Sequence, residues 1–237
     1  MIYAIATPAA QSVANQTTEI PVIVSAVTDP AASGLLEDNE KPGGNVTGAS
    51  DLTPVEEQID LLQQLLPDAK KVAVMYCSSE DNSKIQAEMA EEALDAAGLE
   101  WQEATVADSS SIQQVTESLI GNVDAIYIPT DNLLAEGMSA VAQVSNANGI
   151  PCIVGESGMV ENGGLATYGI DYYELGKLAA KQAVDILNGD ATAAETPVAY
   201  LAAEDCVLTI NKSVADELGI EIPEDLAKDA EMVETAS

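Results

Sequence analysis

The chain has 237 residues, with 40 acidic side chains against eight basic ones, all lysine, and a formal charge of −32. A chain this acidic repels nucleic-acid phosphates and anionic membrane surfaces, which argues against nucleic acid as a partner. Histidine is absent, which excludes Ser-His-Asp and Cys-His nucleophile pairs and imidazole metal ligands, yet 47% hydrophobic residues are enough to build a core.

Residues 3–6 (YAIA) predict a strand, stopped by Thr7 and Pro8 and followed by a short helix over 8–15. PVIVS at 21–25 is a buried strand closed by Thr28-Asp29-Pro30, and 45–48 is a short strand after Pro42-Gly43-Gly44. In PVEEQIDLLQQLL (54–66) the apolar positions 55, 59, 62, 65 and 66 share one face at a period of 3.6, with Thr53 as N-cap, Pro54 at the first helical position and Glu56 at the third. VAVMY at 72–76 is a strand, 82–97 a helix that Gly98 stops, 100–107 a strand, 109–119 a helix and 125–128 a strand. A helix over 132–148, strands at 150–154 and 165–168, and a long helix over 172–187 follow. An irregular β segment at 198–210 leads into an acidic helical tail.

Alternating β and α with continuous apolar strands predicts α/β architecture with parallel sheets covered on both faces. No apolar stretch reaches the roughly 18 residues of a membrane span. The N-terminus has no basic n-region or cleavage site, so no signal peptide is legible in the chain as given. Cys77, Cys152 and Cys206 form no CxxC and, being odd in number, no complete disulfide framework; the first two belong with buried strands.

In parallel sheets ligands bind beyond the carboxyl ends of the strands. The loops there are short and rich in hydroxyls, Asp and Asn. Thr7 and Thr28 each lie just past a strand beside a proline, where a hydroxyl and free N–H groups make a small anion site suited to a carboxylate, with Pro8 to start the helix and Ala9 to admit a ligand. Plain N-capping is the alternative for each. Asp131, Glu156 and Asp171 occupy comparable positions at strand ends, where they pair with a ligand ammonium or serve as caps. The set suits a zwitterion, and Tyr76, Tyr168, Tyr172 and Tyr173 offer flat apolar walls or core packing. No GxSxG, GxxxxGK[ST], GxGxxG or HExxH is present, and nothing singles out a carboxylate pair; no catalytic residue, metal ligand or cofactor is expected.

The stretches ATPAAQ, IPVIVSAVTDP, KPGGNVTGASD, AIYIPTDN and ATYGIDYYELGKLAAKQAVDILNGD, in that order, resemble the substrate-binding proteins of ABC transporters, in particular the tryptophan/tyrosine-type family with the type I periplasmic-binding-protein fold. The resemblance covers essentially the whole chain. It implies two doubly wound lobes joined by three hinge crossings, near 50–53, 168–171 and 197–203, with the ligand trapped in the cleft between them. Lobe one is placed at 1–52 plus 169–197, and lobe two at 53–168 plus 198–237.

By position, Thr7 and Thr28 look like carboxylate holders, flanked by Pro8, Ala9 and Asp29, while Ser50 and Asp51 lie at the first crossing. Ser79, Asn82, Asp131, Glu156 and Asp171 look like second-lobe or hinge contacts, with Glu156 matching the acid that receives the ligand ammonium in related binders. The partners implied are an amino acid and an ABC permease with its ATPase, and the place is extracytoplasmic, periplasmic or membrane-tethered.

Family members normally start with a leader and a β-α-β-α stretch ahead of the strand matching 3–6. The expectation is therefore a lobe one that opens midway, in a truncated or wrongly started chain or one whose missing strands a partner supplies. A ligand-sensing domain of a signalling or regulatory protein on the same fold is the alternative function.

Overall fold

The computed structural model describes residues 1–202 and 205–236. In chain order the elements are β1 (Ile2–Ile5), α1 (Thr7–Ala14), β2 (Val22–Ser25), β3 (Val46–Ser50), α2 (Val55–Leu65), β4 (Lys71–Cys77), α3 (Asp81–Ala97), β5 (Glu100–Val106), α4 (Ile112–Ser118), β6 (Ala125–Ile128) and α5 (Asn132–Ala147). They continue as β7 (Cys152–Val154), α6 (Ser157–Glu161), β8 (Ala166–Gly169), α7 (Tyr172–Asn188), β9 (Ala199–Tyr200), β10 (Val207–Asn211), α8 (Lys212–Leu218), α9 (Glu224–Asp229) and β11 (Glu231–Val233). No helix among the described residues is long and apolar enough to cross a membrane.

Two compact units result. The first holds Met1–Thr53, Glu80–Asn82 and Ile170–Cys206; the second holds Pro54–Ser79, Ser83–Gly169 and Val207–Ser237. The segment expected to form one irregular β stretch is divided: β9 pairs with β3 in the first sheet, and β10 with β8 in the second. Residues Ala203, at the end of the expected third crossing, and Ser237, at the end of the expected second lobe, lie outside the described residues.

The first unit's sheet runs β1-β2-β3-β9, parallel throughout. Alternation sends Val22 and Val24 to a core with Ala10 of α1, and Ile23 to a core with Leu175 and Ala179 of α7. Strands β2 and β3 approach so closely that a Cβ on Gly48 would lie 1.9 Å from the Val24 carbonyl oxygen.

The second unit's sheet runs β11-β10-β8-β7-β6-β4-β5, parallel except that β10 is antiparallel to β8. Strand β4 has β5 on one side and β6 on the other, so the winding reverses there. Val72 and Val74 face the core beneath α2 and α3, while Ala73 and Met75 face the core beneath α4 and α5. Burial on both faces is why VAVMY is apolar without alternation. Cys77 and Cys152 are buried, and burial pushes the Cys152 thiol up to about 12, so it stays protonated and unreactive.

Three local expectations differ. Helix α2 begins at Val55 with Pro54 as its N-cap, not Thr53, and no side chain caps it. Helix α6 was not legible, because five residues span barely more than a turn. The tail expected to be helical ends in β11, whose short run pairs in parallel with β10.

Gln58 lies on the buried face of α2 with no exposed surface. Its Nε2 donates to the Tyr168 carbonyl (2.8 Å), and its Oε1 accepts from the Tyr127 hydroxyl (2.7 Å). Tyr127 is itself fully buried, and burial holds its hydroxyl protonated and donating. Replacing Gln58 by leucine strands both partners in a dry interior. Gln58→Leu is expected to lower stability by about 2–4 kcal/mol, and adding Tyr127→Phe to recover part of that loss, as read by chemical denaturation of the two single variants and the double variant.

Candidate functional site

Parallel register brings Ile5, Ser25 and Ala49 level across the first sheet. The turns that follow β1, β2 and β3 therefore leave from one edge, and carry Thr7, Thr28 and Asp51. Ala6 (φ 71°) and Ala26 (φ 55°) make two of these turns, and they are the described non-glycine residues with positive φ. L-residues adopt that region at a cost of about 1–3 kcal/mol, and such residues concentrate at functional sites. The left-handed step at Ala6 swings the chain straight from β1 into α1.

Helix α1 begins without a side-chain cap. Four other helices supply their own: Asp131 accepts from Leu134 N on α5, Glu156 from Gly158 N on α6, Asp171 from Tyr173 N and Glu174 N on α7, and Asn211 from Val214 N on α8. At α1 the Thr7 hydroxyl is buried and without a hydrogen-bond partner. An unfilled hydroxyl beside uncapped N–H groups is a donor set for an anion the size of a carboxylate. Pro8 and Ala9 beside it are exposed. One turn along the same face, Gln11 Nε2 donates to Ser33 O (3.0 Å) and Asp81 Oδ2 (2.9 Å).

The neighbouring turn holds an acceptor. Asp51 is 3% exposed; its Oδ1 accepts from the Thr28 hydroxyl (3.2 Å) and its Oδ2 from the Tyr172 hydroxyl (3.3 Å). Ser50 fixes the turn: its hydroxyl donates to Thr28 O (2.6 Å) and accepts from Leu52 N (3.1 Å). Burial pushes the Asp51 carboxyl up to about 6, against the opposing pull of the Thr28 and Tyr172 hydroxyls. Two neutral hydroxyls leave most of a carboxylate's charge unanswered, so a ligand cation would complete the arrangement. Asp29 is spent on local structure, accepting from Ala32 N and Asn39 Nδ2.

The remaining sequence-derived residues divide by role. Asp131 is 1% exposed, with one carboxylate oxygen on Leu134 N (2.8 Å) and the other on Cys77 N (2.6 Å), so it ties the β4 and β6 turns together. Asp171 is exposed at the start of α7 and capped onto it. Glu156 is half-buried, accepts from Gly158 N (2.8 Å), and is pushed above the ordinary carboxylate range by burial. Ser79 is exposed, with its hydroxyl 3.1 Å from Cys77 Sγ. Asn82 is buried, donating to Glu80 Oε2 (3.2 Å).

Gln11, Gln58 and the role of Tyr172 as hydroxyl donor were missed. Gln58 had a signal, a polar residue among apolar ones at helical spacing; Gln11 and Tyr172 had none, because their partners are distant in sequence.

The family model of ABC transporter substrate binding proteins matches residues 1–234. A tyrosine-binding protein of Clostridioides difficile (strain R20291) is 41% identical over 221 residues, which is 93% of this chain and 63% of that protein, so the chain spans less than two thirds of that relative's length. The crystal structure of the ABC domain in complex with L-Trp from Streptococcus pneumonia matches with a TM-score of 0.94 at 40% identity, covering 98% of this chain and 78% of that one. A conserved domain protein from Vibrio cholerae O1 biovar El Tor matches with a TM-score of 0.92 at 34% identity, covering 97% of this chain and 77% of that one.

Because burial raises the Asp51 carboxyl in the folded chain, the folded chain keeps a proton that the unfolded chain has lost between about pH 4 and pH 6. This contribution to stability is complete below the unfolded carboxylate range and is lost as pH rises through about 6. Asp51→Asn removes it. The variant is expected to be more stable than the parent at pH 7.5 without ligand, by up to about 3 kcal/mol, and the gap to close by pH 4, as read from paired denaturation curves across that range.

Proposed function

The chain belongs to the ABC transporter substrate-binding protein family, and from that premise we propose that it captures a small zwitterion, an aromatic amino acid, outside the cytoplasm and delivers it to a membrane permease driven by an ATPase. The relatives are substrate-binding proteins rather than enzymes, and capture without turnover suits a chain with no histidine.

The carrying observation is Asp51, a buried carboxylate whose side-chain partners are two hydroxyls, on the same sheet edge as the unpartnered hydroxyl of Thr7. In this reading Thr7 and the N–H groups opening α1 hold the ligand carboxylate, and Asp51 receives the ammonium, with Thr28 and Tyr172 orienting it. The half-buried ring of Tyr172 offers an apolar wall to an aromatic side chain. Asn82, which belongs to the same unit, adds a further contact. The aromatic preference rests on the relatives, one in complex with L-Trp and one a tyrosine-binding protein.

Calorimetry with the proteinogenic amino acids tests this reading. One equivalent of L-Trp or L-Tyr is expected to bind, with a negative heat-capacity change from apolar burial. Asp51→Asn is expected to weaken binding about 30-fold or more, and Thr7→Val about 5–10-fold. Parent affinity is expected to rise between pH 5 and pH 7 as Asp51 ionises, and the Asp51→Asn variant to lose that slope. Preferential binding of a sugar or a nucleotide would overturn the ligand class.

A further inference from the structure

The second unit has a cavity at the amino edge of its sheet, the edge away from the β4 and β6 turns that Asp131 joins. Ala69, Asp124 and Pro151, which lie just ahead of β4, β6 and β7, line it, together with the end of α2 and the link from α8 to α9. Its volume is about 720 Å³, the size of a small-molecule site. Leu65, Leu66, Ile220 and Ile222 supply apolar walls, and they belong to or pack against the core beneath α2 and α3.

The charged part of the lining has one sign. Asp68, Asp124, Glu221 and Glu224 line the cavity, and among the described residues no lysine does. The backbone adds to the same sign. In a parallel sheet the connecting helices run back towards the amino edge, so their carboxyl ends gather there with partial negative charge. Leu65 and Leu66 close α2, and Gly149 follows the end of α5. Neither helix has a basic residue in its last turn. Asp124 is also held in place. Its Oδ2 accepts from the amides of Lys70 (2.8 Å) and Lys71 (2.9 Å), which leaves Oδ1 with no hydrogen-bond donor among the described residues.

We propose that this cavity binds a small organic cation, an apolar body carrying an ammonium or guanidinium group. The walls call for the body, and the carboxylates with the two helix ends call for the charge. A bare metal ion is a poorer occupant, since no group of three or more acidic or cysteine side chains among the described residues could hold one. An amino-acid zwitterion is poorer too, because its carboxylate would meet carboxylates and helix carboxyl ends. Asp51 belongs to the other unit, and the proposal does not rest on the ligand reading of that residue.

The probe is phenylbutylammonium, titrated into the isotopically labelled 237-residue chain with the amide spectrum as readout. Saturable shifts are expected at the amides of Leu66, Ala69, Gly149 and Gly219. The neutral phenylbutanol is expected to bind there about tenfold more weakly, and the anionic phenylbutyrate not to bind. Asp124→Asn keeps an acceptor for the Lys70 and Lys71 amides, and is expected to keep the parent melting temperature while weakening the amine about fivefold. Glu221→Gln, at an exposed position, is expected to weaken it about twofold and serves where Asp124→Asn melts early. Equal binding of the amine and the alcohol, or shifts confined to other amides, would overturn the proposal. The same shifts from calcium alone would overturn it in favour of a simple ion. A blocked Leu-Lys-Leu peptide that binds these amides about tenfold more tightly than the amine would overturn it in favour of a polypeptide partner. None of these outcomes touches amino-acid binding at Asp51, which calorimetry reads separately.

Discussion

Parallel pairing of β1, β2 and β3 is the constraint from which the candidate site follows. Once Ile5, Ser25 and Ala49 are held level, the next residues of three strands must leave the sheet side by side. The turns there are short, so each brings its first polar residue to the same edge. Gly48 belongs to this constraint, because any larger residue would push β3 off the Val24 carbonyl and spoil the register. The positive φ values at Ala6 and Ala26 are the local cost of turning so sharply, and the surrounding ladder sustains it.

The edge that results combines opposite deficits. At Thr7 there are donors without an acceptor, and at Asp51 an acceptor without a cation. Either would be unfavourable in a chain selected only to fold, since unpaired buried polar groups each cost about 1–3 kcal/mol. The second unit shows the contrast. Its buried Asp131 is satisfied by two backbone amides and holds two turns together, and its buried Gln58 is satisfied by Tyr127 and Tyr168. Those two groups find their partners within the chain, whereas the Thr7 hydroxyl has none and the Asp51 carboxylate is met by hydroxyls, the contrast on which the proposed ligand site rests.

The acidic surface plays little part in this. The exposed pairs of Lys177 with Glu174, Lys212 with Asp216 and Lys228 with Asp225 are local helix contacts of small energetic weight. What sets Asp51 apart from the equally buried Asp131 is its pair of hydroxyl partners in place of backbone amides, which the net charge of −32 does not report.

The sequence alone determined the alternation of strands and helices, the family resemblance, and the importance of strand-end turns, because apolar periodicity and turn residues are local properties of the chain. It placed Thr7, Thr28 and Asp51 among the candidates on that basis. It placed the N-cap of α2 at Thr53, took the tail as helical, and set Asp131, Glu156 and Asp171 together as ammonium partners or caps, with Asp51 apart at the first crossing. Only the tertiary structure separated these carboxylates. Capping, burial and partner choice depend on groups brought together across tens of residues, such as Cys77 with Asp131 and Tyr172 with Asp51, and no local pattern encodes such a pairing.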